Sequence, residues 1–263
     1  MKKRLLYIHG YNGSPQGHSF QLFNRHKPDG WEVIGMDYLQ DDCAVALQQI
    51  RTTILEEKID TVAGSSLGGF LTLLTTGIER FVINPCYLPS VELPKLGPLN
   101  DLPVPSPDII ATYAAFEPQL KQFPASEKAL IHGFFGDEDE LLGFRYLKTF
   151  TTDVNRPYIV HSAHHVSESA VEEICRLLAD DRRLLTMAHH QTMANEDIIR
   201  RSTVCGCISC ERTFSPKEIH DWMPDKDGRT AVCPYCSCDA VLGDASGYEL
   251  SAQFLKEMHK RWF

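Results

Sequence analysis

Short, almost wholly apolar runs alternate in the first part of the chain with segments whose apolar residues recur at helical spacing. Residues 4–8, 31–36, 61–63, 80–83, 129–134 and 157–161 are the strand candidates, and most hold too few polar positions for a strand with one face in water. Between them, residues 42–58 place Ala44, Leu47, Ile50 and Ile54 on one helical face, and residues 166–178 do the same with Val171, Ile174, Cys175 and Leu178. Strands alternating with helices predict an α/β domain: a buried, mostly parallel sheet covered by helices on both faces. Residues 87–124 interrupt the alternation with eight prolines, which predicts an irregular excursion that caps one end of the sheet.

After residue 185 the alternation stops. Residues 186–195 carry no sustained apolar period and read as a linker, so the expected organisation is a domain over 1–185 and a small module over 196–263. That module ends in a predicted helix with Leu250, Phe254, Leu255, Met258 and Trp262 on one repeat and Ser251 as its N-cap. A length of 263 residues accommodates two such domains. With 43% hydrophobic and 23% charged residues the chain is of ordinary globular composition, which excludes disordered and fibrous classes.

The formal net charge of −9 supplies no broad basic field for nucleic acid or an anionic membrane. The module itself is near neutral, with nine basic and eleven acidic side chains from residue 184 onward. Only four apolar residues precede His9, too few for a signal-peptide core, and no apolar run is long enough for a membrane helix. The expected address is the cytoplasm, with neither nucleic acid nor membrane as a partner.

The sharpest chemical signal is Gly64-Ser65-Ser66-Leu67-Gly68, a Gly-x-Ser-x-Gly sequence between a predicted strand and a predicted helix over residues 70–75. In such an elbow the serine occupies a tight, strained turn that exposes its hydroxyl, and the flanking glycines are needed because the backbone leaves no room for side chains. Ser66 is thus the candidate nucleophile, with the Leu67 amide placed to donate to an oxyanion. Acid and base follow in the chain order this fold requires. The acidic loop 137–140 follows a strand, with Asp139 preferred over Asp137. His164 and His165 follow the next strand, with His165 favoured as general base. His9-Gly10-Tyr11 after the first strand places the Tyr11 amide as the second oxyanion donor.

These segments resemble the small bacterial α/β-hydrolases of the YqiA/YcfP esterase type. The resemblance covers residues 1 to about 180 and rests on IHGYNGSP (8–15), GSSLGG (64–69), INPC (83–86), DELLGF (139–144) and the histidine pair followed by a helix. It implies an α/β-hydrolase fold with Ser66 as nucleophile, His165 as base, Asp139 as the orienting acid, and Tyr11 and Leu67 as oxyanion donors. His164 departs from that pattern, standing where the family tends to have an aspartate, and Asp137 offers a second acid. What remains for the domain is about 185 residues, short for its fold, which favours an accessible small-ester or thioester site over a buried lipid tunnel.

Six of the nine cysteines crowd into residues 205–238. Cys207 and Cys210 form one Cys-x-x-Cys knuckle and Cys233 and Cys236 another, 22 residues on. Four thiolates so spaced suit one structural Zn²⁺ with no open position for substrate. Cys-Pro-Tyr-Cys alone also matches a redox motif, but that leaves the first knuckle unexplained. Cys205, Cys238 and His220 are expected to be bystanders, and Trp222, Trp262 and Phe263 to pack around the metal. Residues from about 194 to 263 resemble a small bacterial four-cysteine module through CGCxxC, FSPxEI, CPYC, GDxSGY and MHxxWF; this implies a zinc-ribbon or treble-clef-like fold and a zinc site, not an activity. The expectation is a serine esterase or thioesterase acting on a small ester or acyl-CoA, whose zinc module positions it against a protein partner or the substrate. The competing class is a catalytically silent scaffold acting through that module.

Overall fold

The computed structural model describes residues 2–100, 103–121 and 123–263, and the chain divides into two compact units. The first comprises Met1–Phe123, Leu130–Thr149 and Pro157–Ala179. All six predicted strands are present: β1 (Lys3–Ile8), β2 (Trp31–Gly35), β3 (Thr61–Ser65), β4 (Glu79–Ile83), β5 (Ile131–Gly136) and β6 (Tyr158–Val160). They form one sheet in the order β2-β1-β3-β4-β5-β6, and every neighbouring pair is parallel. Leu6 lies opposite Ile34 on one side and Val62 on the other. β3 and β5 are buried along their whole length, whereas β2 alternates and β6 is half-exposed. Central parallel strands lose water on both faces and edge strands on fewer, which is why the inner runs read as continuous apolar stretches.

Helices α1 (His18–His26), α2 (Cys43–Glu56) and α3 (Leu67–Leu73) connect the first four strands. Asp42 caps α2, its carboxylate accepting the N–H groups of Ala44 at 2.8 Å and Val45 at 3.1 Å. The buried stripe is Cys43, Ala46, Leu47 and Ile50; Ile54 continues it half-buried, and only Ala44 of the expected positions is exposed. The proline-rich excursion is helical rather than irregular: α4 (Pro89–Asn100), α5 (Pro107–Ala114) and a 3₁₀ turn at Glu117–Lys121. Pro89 and Pro107 open their helices, where the missing N–H would have had no partner anyway, and Ser106 caps α5. Along the chain α6 (Ala125–Lys128) precedes β5 and α7 (Leu147–Asp153) follows it. α8 (Glu168–Ala179) buries Val171, Ile174, Cys175 and Leu178 as the period predicted. Among the described residues no helix is long and apolar enough to cross a membrane.

The second unit comprises Pro124–Ala129, Phe150–Arg156 and Asp180–Phe263. It contains α9 (Arg183–His190), α10 (Glu196–Arg201) and the strands β7 (Cys205–Cys207), β8 (Thr213–Phe214), β9 (Trp222–Asp225), β10 (Gly228–Ala231) and β11 (Val241–Gly243). β11-β7-β8 and β9-β10 form two small antiparallel sheets, and α11 (Ala252–Trp262) ends the chain. Ser251 caps α11 by accepting the Phe254 N–H at 3.3 Å, and Leu255 and Met258 are buried.

The stretch 186–195 is not an open linker. Its first half lies in α9, and Met187, Ala188, Gln191, Thr192 and Asn195 are buried. Asn195 is fully enclosed, donating to the Val241 carbonyl at 2.7 Å and accepting from the Ala231 N–H at 3.0 Å. A carboxamide satisfied by backbone groups reads in sequence like a solvated one. The unit also draws in two segments from far upstream. Asn155 donates to the carbonyls of Lys128 and Ser246, both at 2.9 Å. Gly247, at φ +89°, lies so close to Ala125 that a Cβ would stand 2.1 Å from its carbonyl oxygen.

Candidate active site

The sheet order places both neighbours of β1 later in the chain, β2 on one side and β3 on the other. Chains leaving β1 and β3 therefore diverge at their carboxyl ends and open a crevice there. Ser66 follows β3 at φ 53° and ψ −118°, a conformation rare for a residue with a side chain. The flanking glycines are a steric requirement. A Cβ on Gly64 would stand 2.3 Å from Thr72 Oγ1, and one on Gly68 2.2 Å from the Ile8 carbonyl oxygen. The strained turn is tied down by the Ser66 N–H donating to Ile83 and by its carbonyl accepting from Phe70 and Cys86.

His164, in the loop after β6, places Nε2 3.1 Å from Ser66 Oγ and Nδ1 3.0 Å from Asp139 Oδ1. Asp139, in the loop after β5, is 8% exposed and accepts the N–H groups of Leu141 at 3.0 Å and Leu142 at 2.9 Å. Burial alone would raise its pKa, but the hydrogen bond and charge of His164 and those two amides outweigh it and hold the carboxyl below its ordinary range. An ionised carboxylate only accepts, so Nδ1 carries a proton; in the neutral ring this leaves Nε2 as the acceptor facing the Ser66 hydroxyl.

The histidine brought to Ser66 is thus His164 and not the expected His165. His165 is exposed, its ring edge-on to that of His164 at 6.3 Å. Asp137 is occupied elsewhere, 3.2 Å from His161 Nδ1 and accepting the Ser162 N–H at 3.2 Å. The turn after β1 runs beside Ser66, since a Cβ on Gly10 would lie 3.3 Å from Ser66 Cβ. Tyr11 lines the same crevice, its phenol donating to the Pro103 carbonyl at 2.8 Å, and Leu67 opens α3. The crevice has a volume of about 540 Å³; its polar wall includes Tyr11, Ser14, His18 and Ser19, and Leu96 and Leu141 supply apolar surface.

Two side chains that the sequence reading passed over hold the His164 backbone. Glu140 accepts its N–H at 3.0 Å. Buried Asn84, within the INPC segment, donates to the carbonyls of Ala163 at 3.1 Å and His164 at 3.4 Å. A polar residue closing the apolar run of β4 was the available signal.

The uncharacterised protein family UPF0227 matches residues 4–145, more than half of the chain. The chain belongs to that family. The match holds Ser66 and Asp139 and ends before His164 and all the clustered cysteines. No curated protein matches this UPF0227 member. Among solved structures, Est1E from Butyrivibrio proteoclasticus aligns at 15% identity with a TM-score of 0.53, covering 67% of this chain and 86% of that one. The esterase EaEST from Exiguobacterium antarcticum aligns at 13% identity and a TM-score of 0.48, covering 67% and 90%. The likeness to Est1E, with the parallel sheet and the elbow, makes the fold that of the α/β-hydrolases.

In the second unit of the UPF0227 chain, Cys207, Cys210, Cys233 and Cys236 bring their sulfurs within 4.8 Å of one another. Cys207 and Cys236 are 3.6 Å apart and Cys210 and Cys233 3.8 Å. A tetrahedron with Zn–S bonds of about 2.3 Å has edges of about 3.8 Å, so the four sulfurs fit such an ion. Cys205 and Cys238 lie outside the cluster, and burial raises the Cys205 thiol to about 12. Trp222 packs against this core. Trp262 and Phe263 do not: they are exposed and stack on His189 and His259.

Among the described residues one other cluster, His26 with Glu168 and Glu172, is a surface hydrogen-bond network. Opposite ring nitrogens of His26 address the two carboxylates, at 2.6 and 3.6 Å, and Arg25 joins Glu168. A single metal would need all three groups to converge from one side.

Proposed function

We propose that this chain is a serine hydrolase that cleaves carboxylic ester or thioester bonds of small acyl substrates. The observation that carries the reading is the placement of His164 between Ser66 and Asp139, at 3.1 and 3.0 Å. Ser66 Oγ attacks the carbonyl carbon while its proton passes to His164 Nε2. The oxyanion that forms is met by the N–H groups of Leu67 and Tyr11. Collapse expels the alcohol or thiol, which takes the proton back from His164. Water, deprotonated by the same nitrogen, then releases the carboxylic acid from Ser66. Asp139 stays ionised and keeps the ring in the productive tautomer. The volume and mixed walls of the crevice support a compact acyl group. The same reading assigns Cys207, Cys210, Cys233 and Cys236 to one Zn²⁺ that stabilises the second unit; with four thiolates it offers no open position for chemistry.

The test is turnover of short-chain nitrophenyl esters and acyl-CoA, together with labelling by a fluorophosphonate. Ser66→Ala is expected to lose label and at least about a hundredfold in rate. Full activity in that variant would overturn Ser66 as the nucleophile, and a wild-type protein that neither labels nor turns over any substrate would leave only a silent scaffold.

A further inference from the structure

We propose that Asn84 and Glu140 are positioning residues that grip the His164 peptide from both sides and so set where its imidazole stands. This rests on His164 being the general base.

β6 ends at Val160, so sheet pairing stops four residues before His164. Another device has to hold that loop against the end of β5, the strand that leads into Asp139. Asn84, directly after β4, sits at the required junction with φ 42°, a left-handed backbone that asparagine tolerates better than most residues. It is 2% exposed. Its backbone N–H donates to Phe134 at 2.9 Å and its Oδ1 accepts the Gly136 N–H at 2.8 Å, both on β5. The same carboxamide donates to the carbonyls of Ala163 and His164. A single side chain therefore ties the end of the strand that leads to Asp139 to the loop that carries His164. The fit is close, since a Cβ on Gly136 would stand 2.2 Å from the Ser162 carbonyl oxygen. On the other side Glu140, next to Asp139, accepts the His164 N–H at 3.0 Å. Asp139 orients the ring, and the other two hold the backbone that carries it. Displacement of such a group by about 1 Å commonly costs on the order of a hundredfold in rate.

The experiment is steady-state hydrolysis of nitrophenyl acetate, per mole of protein shown folded by circular dichroism. Asn84→Asp keeps the acceptor for Gly136 but turns a carboxylate onto the carbonyls of Ala163 and His164. It is expected to lower kcat by about tenfold to a hundredfold with KM within about twofold. Glu140→Ala should lower kcat, and Glu140→Gln, whose amide oxygen still accepts, should restore it. The deciding readout is the double variant: in a His164→Ala background, Asn84→Asp should change the residual rate less than about twofold, because the residue it acts through is gone. Equal losses in both backgrounds, or wild-type kcat in Asn84→Asp, overturn the clamp. Should Asn84→Asp not fold, Asn84→Gly, which suits the left-handed backbone and removes only the carboxamide, takes its place in the same cycle. Wild-type activity in His164→Ala removes the functional reading itself; an inactive His164→Ala beside a fully active Asn84→Asp removes the clamp alone.

Discussion

Ser66 Oγ and His164 Nε2 lie 3.1 Å apart although 98 positions separate them in the chain. The adjacent His165 is exposed and turned aside. His164→Ala should therefore cost about a thousandfold or more in kcat, the order expected for the base of such a triad. His165→Ala should alter kcat less than about threefold, with any larger effect falling on KM because the residue borders the crevice. Steady-state kinetics of the two variants side by side decide the assignment, and a reversed ranking would restore His165.

Asp139 links the site to stability. Its pKa is held below that of the unfolded chain, about 3.9. A depressed folded-state value contributes stability that is fully present above the unfolded pKa and is lost as pH falls through the folded one. The difference in melting temperature between wild type and Asp139→Asn should be widest above about pH 5 and shrink below about pH 4. A gap that stays constant from pH 7 to pH 3 would contradict the origin of the shift in hydrogen bonds to the ionised carboxylate.

The elbow glycines report on packing rather than chemistry. Each methyl added by Gly64→Ala or Gly68→Ala would land within 2.4 Å of backbone oxygen. Each substitution is expected to destabilise the first unit by about 2–4 kcal/mol, read from urea unfolding. Gly77→Ala is a useful control, because its Cβ meets nothing within 4 Å and only its φ of +70° opposes the change.

For the cysteine cluster, metal analysis of the purified chain should give one zinc per molecule. Cys207→Ser or Cys236→Ser should abolish it, and Cys238→Ser, outside the cluster, should not. Chelation should lower the melting temperature of the second unit. Unchanged stability after complete chelation would exclude a structural metal.

Much of this was legible in the sequence, and the parts that were not have two causes. The six strands were visible because their apolar runs are local and continuous. The elbow was visible because Gly64, Ser66 and Gly68 meet a steric demand within five residues. The two cysteine knuckles likewise announce themselves by spacing. The helices of the excursion were hidden by prolines that, at Pro89 and Pro107, occupy first turns where they do no harm. That the second unit also takes in residues 124–129 and 150–156 was hidden, because the contacts that bring them in, Asn155 to Ser246 and Gly247 against Ala125, span long stretches of chain.

Sequence by itself determined the class of fold and singled out Ser66, Asp139 and the four clustered cysteines as candidates, since periodicity and short motifs are properties of neighbouring residues. Only the tertiary structure decided between His164 and His165. Two adjacent histidines in an aperiodic loop carry the same chemistry, and which of them reaches Ser66 depends on how the loop backbone is held. That hold comes from Asn84, 80 positions away, and from Glu140, 24 positions away, and long-range hydrogen bonds of this kind leave no periodic trace in the chain.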